Sequence, residues 1–495
     1  MQKKDILIYS NTGLTSIQIG LTAEVLALLN KEENNLKVVL CDNVLHNCFF
    51  NRSHNLLGCI ACQSRLHKIL DLVGIPAKNR IKLKVLPEQL DVAIPNFKNL
   101  SELLGYNYKG IDIGRGAASS IISYYRDYEI SSEKYHDIIS LELKKSILVV
   151  DFFEKFIKEE AVDEIYLFNG RFAEVRPLLK LAEKYNIPFY TIESGTINHF
   201  ELYANSLPHS IVENTIQIHN YWEKADPVKR KEVAELFYTN RRTGNEHLGL
   251  SFTKKQQRDL LPKDFDKSKN NIAIFNSSED EFKVLTEWQT DLYQDQNEAI
   301  FNLVEHFKNR IEYHFYLRIH PNLSAVENQQ IRELKESKHT NLTVILPDDH
   351  VDSYGLIDAC DKVITFGSTM GAEANYWGKP SILYGNSFYV NLNCTYVPNS
   401  FAELEALILD DNLASNDKLG SLKYGYYLSS YGTAPEIVEF KNGKVSKVKE
   451  VKLRTFYLNA FGIGIRYLGN IKQWFQSHYA YFGKKLGLKD FKKYM

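Results

Sequence analysis

Cysteine is scarce in this chain, six in 495 residues, which excludes a secreted disulfide scaffold and points to a cytoplasmic protein. Long apolar runs are missing: nothing approaches the ~18 consecutive residues of a transmembrane helix. The opening Met1-Gln-Lys-Lys-Asp-Ile-Leu-Ile-Tyr has too short an apolar core for a signal peptide and reads as a first strand. With 44 % hydrophobic and 24 % charged residues, a disordered chain, a collagen and a polytopic membrane protein are excluded. Charge of one sign is lacking overall, with a net charge of −1, yet residues 441–495 hold 13 Lys and Arg against two acids. A mildly acidic body with a basic end bears on partners rather than on fold.

Short runs rich in Val, Ile, Tyr and Phe alternate with helix-length stretches. Asp5-Ile-Leu-Ile-Tyr, Leu36-Lys-Val-Val-Leu, Glu164-Ile-Tyr-Leu-Phe and Phe189-Tyr-Thr-Ile lie in the first half. Ile272-Ala-Ile-Phe, Phe315-Tyr-Leu-Arg-Ile, Thr343-Val-Ile-Leu, Val363-Ile-Thr-Phe and Ser381-Ile-Leu-Tyr lie in the second. Strands apolar on both faces and separated by helices, such as Val175–Tyr185 and Phe401–Leu409, predict parallel α/β sheets. The lysine-rich, polar span 254–271 reads as a linker. The expected architecture is two Rossmann-like, doubly wound domains facing a cleft, 1–253 and 272–440, followed by a basic, aromatic helical tail at 441–495.

In open α/β sheets ligands bind at the carboxyl ends of strands, and polar clusters follow these runs. Cys41-Asp42-Asn43, Asn169-Gly170-Arg171 and Glu193-Ser194-Gly195 occupy such positions in the first half. Asn276-Ser277-Ser278, His320-Pro321 and Gly367-Ser368-Thr369-Met370-Gly371 do so in the second. Small residues and two hydroxyls where a strand turns into a helix predict an anion site, with backbone N–H groups pointing at the ligand. Arg318 and His320 would supply positive partners, and Glu373, about one turn into the helix, would accept hydrogen bonds from a ribose.

The series Arg318-Ile-His-Pro, Asp352-Ser-Tyr-Gly-Leu, Ile364-Thr-Phe-Gly-Ser-Thr-Met-Gly-Ala-Glu-Ala and Gly378-Lys-Pro-Ser-Ile resembles the donor-binding half of bacterial capsule-polysaccharide glycosyltransferases. The nearest in style are the Kdo-transferase-like and sialyltransferase-like GT-B enzymes, with their His-Pro and Ser-Ser/Thr motifs. Asn169-Gly-Arg and Glu193-Ser-Gly resemble the same proteins more weakly. The resemblance implies His320, Ser368 and Thr369 as phosphate ligands, Glu373 as a ribose contact and a CMP-linked acidic sugar as leading donor. Ser277 and Ser278 join this donor-binding set.

An inverting transfer needs a base for the acceptor hydroxyl, from the domain opposite the nucleotide. Glu193 is the first candidate and Asp42 the second. Asn169 and Arg171 are candidate sugar contacts, Arg171 through a bidentate hold on a carboxylate or phosphate. Arg115 joins them, lying in the Gly-rich segment Tyr108–Ser120, which reads equally as a binding loop or as a plain helix entry. No Asp-x-Asp metal motif follows a strand, since Asp264-Phe-Asp266 falls in the linker; no cofactor is required. Cys41, Cys48, Cys59 and Cys62 fall within 22 residues and offer a possible structural zinc, against simple burial of free thiols.

Residues 451–495 hold nine Lys and Arg, one acid and 11 aromatics. That composition suits a helix lying on an anionic membrane surface or packing on a core; nucleic acid is not expected as a partner. The expectation is thus a glycosyltransferase using a nucleotide-sugar donor and a saccharide acceptor, peripheral on the inner face of the cytoplasmic membrane. A nucleotide-sugar epimerase or a non-catalytic nucleotide-binding module of capsule assembly is the alternative.

Overall fold

A computed structural model describes residues 3–84, 92–245, 253 and 255–453. They form two compact units whose boundaries fall between Ile94 and Pro95, Ile139 and Ser140, Tyr190 and Thr191, and Ala434 and Pro435. The partition differs from the linear one expected at 254–271. Residues 95–139 belong to the second unit although they interrupt the first in sequence, and the second unit already begins at Thr191.

In the first unit β1 (Asp5–Ser10), β2 (Asn35–Leu40), β3 (Arg80–Lys82) and β4 (Glu164–Phe168) pair in the order β3-β2-β1-β4. All are parallel, with Ile6 level with Leu36 on one side and Glu164 on the other. Beyond β4, Ile165 N–H donates to the Pro188 carbonyl at 2.9 Å, and β5 (Phe189–Ser194) begins in this unit and ends in the second. The expected helix after β4 is observed as Arg176–Lys184, entered through Pro177 in its first turn, where a missing N–H is harmless.

An ionic cluster lies buried beneath this unit's loops. Lys145 Nζ sits 2.8 Å from both Glu142 and Glu174, and Arg52 Nη1 lies 2.9 Å from Glu142. Lys145 also donates to the Asn47 carbonyl (2.9 Å), and Asn47 Nδ2 donates to Glu142 (2.6 Å). Charges so fully desolvated persist only when each is paired and hydrogen-bonded; here they pin the loop after β2 to the helices below it.

The second unit contains β6 (Phe200–Ala204), β7 (Asn270–Phe275), β8 (Tyr313–Arg318), β9 (Leu342–Ile345), β10 (Lys362–Thr365) and β11 (Ser381–Leu383). The last five form a parallel sheet in the order β11-β10-β7-β8-β9. Its core lies among Ile272, Ile274, Phe315, Leu317, Ile364 and Ile382, all fully buried. Counted from its own first strand the order is 3-2-1-4-5, so the direction of winding reverses between β7 and β10, where a crevice opens at the carboxyl edge. Residues 255–269, expected as a linker, pack on this unit: Phe265 stacks on Tyr316 at 4.8 Å, and Ser353 N–H donates to Gln256 at 2.8 Å.

The start of the expected helical tail is instead a three-stranded antiparallel meander in the first unit. Its strands are β12 (Val438–Lys441), β13 (Lys444–Val448) and β14 (Val451–Lys452). Asn442 and Gly443 form the first turn with φ of 52° and 67°, between Lys441 and Lys444 paired across it. That two-residue turn requires positive φ at both positions, which Asn-Gly adopts at least cost. The rest of the tail, from Arg454, lies outside the described residues, and with it the expected interfacial helix.

Candidate functional site

The crevice at the β7/β10 switch is a cleft of about 460 Å³, within the range of small-ligand sites. Arg318, His320, Ser277, Ser278, Ser368 and Thr369 all line it. The sheet explains why: Asn276 to Ser278 leave β7, Arg318 ends β8 and Gly367 to Thr369 leave β10. Gly367 has φ of +104°, and a Cβ there would lie 3.0 Å from the Asn386 carbonyl, so the turn needs glycine.

Arg318 is 3 % exposed. Its Nη2 donates to the Asp349 carbonyl at 3.0 Å and more weakly to that of Pro347 at 3.5 Å. Its Nε and Nη1 have no partner, and Asn276, 1 % exposed, leaves its Nδ2 unmet as well. Burial pushes the Arg318 guanidinium below its ordinary pKa, with Asp349 and Asp348 opposing; it stays charged at any physiological pH. Buried donors without acceptors are costly, and both residues line the cleft.

His320 is oriented by its neighbours. Its backbone N–H donates to Asn276 Oδ1 at 2.8 Å, and its Nδ1 accepts the Asn322 N–H at 3.2 Å. The ring proton therefore sits on Nε2. Burial, together with the charges of Arg126 and Arg241, lowers its pKa to about 4, so it acts as a neutral donor.

The hydroxyls divide into two kinds. Ser277 Oγ donates to the Phe366 carbonyl (2.9 Å) and accepts from Gln296 (2.8 Å). Thr369 Oγ1 donates to Glu373 (2.9 Å) and accepts from Arg241 (3.2 Å). Neither has a proton left for a ligand, which corrects the expected roles of Ser277 and Thr369. Ser278 Oγ accepts from Arg126 Nη2 at 2.9 Å, and Ser368 Oγ accepts from Met370 N–H at 3.4 Å. Both keep their protons to give.

Glu373 is corrected too. It is 1 % exposed and lies under the cleft, holding Arg241 (3.0 Å), Thr369 and the Tyr354 hydroxyl, rather than facing a ribose. The helix that follows Thr369, Met370–Tyr376, spans seven residues, so little aligned dipole accumulates. The positive potential comes from side chains.

Other expected residues stand elsewhere. Glu193, expected on the acceptor side, falls in the second unit, where its carboxylate accepts the Ser194 N–H at 2.9 Å; it does not line the cleft. Arg115, also in the second unit and inside the helix Ile113–Tyr125 that the Gly-rich segment opens, donates to the Val284 carbonyl at 2.7 Å. Asp42 pairs with Lys82 at 3.1 Å at the first unit's edge. Asn169, with φ of 62°, and Arg171, over the Phe172 ring at 4.8 Å, follow β4 at the first unit's own switch between β1 and β4.

The four cysteines do not fit a zinc. Cys62 Sγ accepts the Gly13 N–H at 3.0 Å and Cys59 Sγ the Asn51 amide at 3.2 Å. Burial pushes the Cys41 thiol up to about 12 and that of Cys48 higher still. Among the described residues no group of three or more His, Cys, Asp or Glu gathers to hold a metal ion.

Sequence reasoning missed Arg241, Arg126 and the aromatic wall. Arg241 and Arg242 end the helix Pro227–Thr243, where basic residues are ordinary, so nothing marked them. Arg126, caught by Asp280, arrives on the inserted segment 95–139. Trp288 stacks on Phe282 at 3.9 Å and meets Phe388 edge-on at 4.9 Å; all three line the cleft as an apolar wall for a ring.

The fold is thus two α/β units with parallel sheets, the second carrying a polar cleft at its switch point. Residues 283–397 match the family model described as "Capsule polysaccharide biosynthesis protein", a span that includes Arg318, His320, Ser368, Thr369 and Glu373. The resemblance to capsule-polysaccharide enzymes thus holds at the motifs that suggested it. Among solved structures, the chain is similar to two KpsC domains of Thermosulfurimonas dismutans. To the β-Kdo 2,4 transferase it is 13 % identical, over 61 % of this chain and 88 % of that one, with a TM-score of 0.38. To the β-Kdo 2,7 transferase it is 17 % identical, over 65 % and 89 %, with a TM-score of 0.33. The UDP-GlcNAc 2-epimerase of Neisseria meningitidis is 12 % identical over 85 % and 97 %, with a TM-score of 0.27. A search of the curated proteins finds no match.

Proposed function

We propose that this protein transfers a sugar from a nucleotide-activated donor to a growing surface polysaccharide, with the donor phosphate held in the second unit. The observation that carries this reading is Arg318: a buried guanidinium with two bare N–H-bearing nitrogens beside Asn276, Ser278, Ser368 and a neutral His320. As the glycosidic bond to the nucleotide breaks, the leaving phosphate oxygen takes the electron pair, and donors already aimed there stabilise it without reorganising.

Arg241 is paired with Glu373 and Arg126 with Asp280, whereas Arg318 has backbone carbonyls as its acceptors. Asp349 and Asp348 also act on the Arg318 charge, and Glu281 lines the cleft, so the donor proposed, a CMP-linked acidic sugar, rests on the sequence resemblance. Glu193, which shares the second unit with the cleft, and Asp42, in the first unit, are the two proposed bases for the acceptor hydroxyl. The basic, aromatic residues 454–495 are proposed to bring the enzyme to an anionic membrane and a lipid-linked acceptor.

A thermal-shift panel of CMP, CDP, UDP, GDP and ADP tests the site. A ligand at ~100 times its dissociation constant stabilises by about 2.7 kcal/mol, several degrees in melting temperature. A shift with CMP that vanishes in Arg318→Met is expected. Absence of any shift across the panel at millimolar ligand overturns the reading. Interconversion of a nucleotide sugar without transfer would replace it with epimerisation.

A further inference from the structure

Glu373 reaches no ligand space of its own, yet it holds three residues that do. Its Oε1 accepts from Arg241 Nε (3.0 Å) and from Thr369 Oγ1 (2.9 Å), and its Oε2 accepts from the Tyr354 hydroxyl. Arg241, Thr369 and Tyr354 all line the cleft and come from three separate elements. Arg241 Nη2 closes the ring by donating to Thr369 Oγ1 at 3.2 Å. With both Nε and Nη2 engaged, the plane of the Arg241 fork is set before any ligand arrives, which removes the ordering cost of a long side chain. The backbone beneath is held as well. The adjacent Arg242 pairs with Asp358 and lies over the Trp377 ring at 4.6 Å, and Gly244 ends the helix with φ of 70°.

We infer that Glu373 is a positioning residue that aims Arg241 into the cleft as a second cationic contact for a phosphate-bearing ligand, without touching that ligand itself. The inference rests on the nucleotide reading of the cleft and adds two residues to it, one of which the sequence had placed on a ribose.

Charge alone and positioning predict opposite results. Removing the Glu373 carboxylate leaves the site more positive, so a purely electrostatic contribution would tighten an anion. Loss of the Arg241 geometry would loosen it. Calorimetric titration of CMP and of uncharged cytidine into wild type, Glu373→Gln, Arg241→Gln and the double variant separates the two.

Glu373→Gln is expected to weaken CMP about tenfold or more, as for loss of a charged hydrogen bond, with cytidine affinity unchanged. Arg241→Gln should do the same, and the double variant should be no worse than either single one, since both break one contact. CMP binding unchanged or tighter in Glu373→Gln overturns the inference. So does an equal loss of CMP and cytidine, the mark of a merely structural role. Should Glu373→Gln fail to fold, Tyr354→Phe and Thr369→Val leave every charge in place and are read the same way. A smaller selective loss of CMP is expected, and an unchanged ratio of CMP to cytidine affinity overturns the inference. Wild type binding neither CMP nor cytidine overturns the nucleotide reading itself.

Discussion

Thr369 gives its only hydroxyl proton to Glu373, at 2.9 Å, while the Ser368 hydroxyl beside it accepts from Met370 N–H and keeps its own proton. Two adjacent hydroxyls on one turn therefore do different work. Ser368→Ala should weaken nucleotide binding about five- to tenfold with the melting temperature unchanged. Thr369→Val should lower stability by about 1 kcal/mol through the lost hydrogen bonds to Glu373 and Arg241 and weaken CMP less than Ser368→Ala does. Titration calorimetry and thermal unfolding of the two variants check the assignment; equal binding losses with equal melting temperatures would refute it.

Arg318 sets stability against binding. A buried cation whose acceptors are carbonyls destabilises the empty protein, and an apolar side chain of similar length relieves it. Arg318→Met is expected to unfold at the same or a higher temperature, by up to about 1–2 kcal/mol, and to lose the nucleotide-induced shift entirely. A less stable variant that still binds CMP would contradict this.

His320 carries a pH signature. Its folded pKa is lowered to about 4 by burial and by Arg126 and Arg241, against an ordinary value near 6.5. Between those values the unfolded chain binds the proton and the folded one does not, so this residue's contribution to stability rises with pH across the window and is flat above it. An anion bound nearby favours the imidazolium, so nucleotide binding near pH 5 should take up a proton. Calorimetry in two buffers of different ionisation enthalpy measures that uptake; none at pH 5 would place His320 away from the anion.

In the first unit Lys145 pairs with Glu142 and Glu174 at 2.8 Å each. Lys145→Met leaves two carboxylates buried, with Arg52 beside one of them, and should cost about 3–5 kcal/mol. Denaturant unfolding checks this. A loss under 1 kcal/mol would mean that the cluster is more hydrated than its geometry implies.

The proposed membrane contact is tested by truncation after the meander and within it. β13 and β14 belong to the first unit; truncation after Leu453 keeps both and is expected to abolish binding to anionic vesicles. Truncation after Lys441 should destabilise the protein by removing β13 and β14. Vesicle co-sedimentation of the folded, shorter chain decides; retained binding would move the membrane contact elsewhere.

Much of the strand pattern was legible because buried parallel strands read as apolar runs, and Phe401–Leu409 appears as the helix its periodicity implied. The meander was not read as one. Lys449 and Glu450 form its second turn at φ of 44° and 62°, and neither residue advertises a turn. Lys441, Lys444, Lys447 and Lys452, part of the basic end expected to be helical, lie in these strands instead.

Local chemistry determined that polar residues would follow each strand, and that Arg318, His320 and Ser368 would stand where a parallel sheet gathers its loops. Strand ends converge whatever the spacing in sequence, so this much needed no tertiary knowledge. Only the tertiary structure decided which hydroxyls still own a proton, that Glu373 faces inward, and that Arg241 and Arg126 join the same unit as Arg318. Hydrogen-bond partners across 100 or more residues depend on how helices pack on the sheet, and a carboxylate reads the same in sequence whether it awaits a ligand or an arginine.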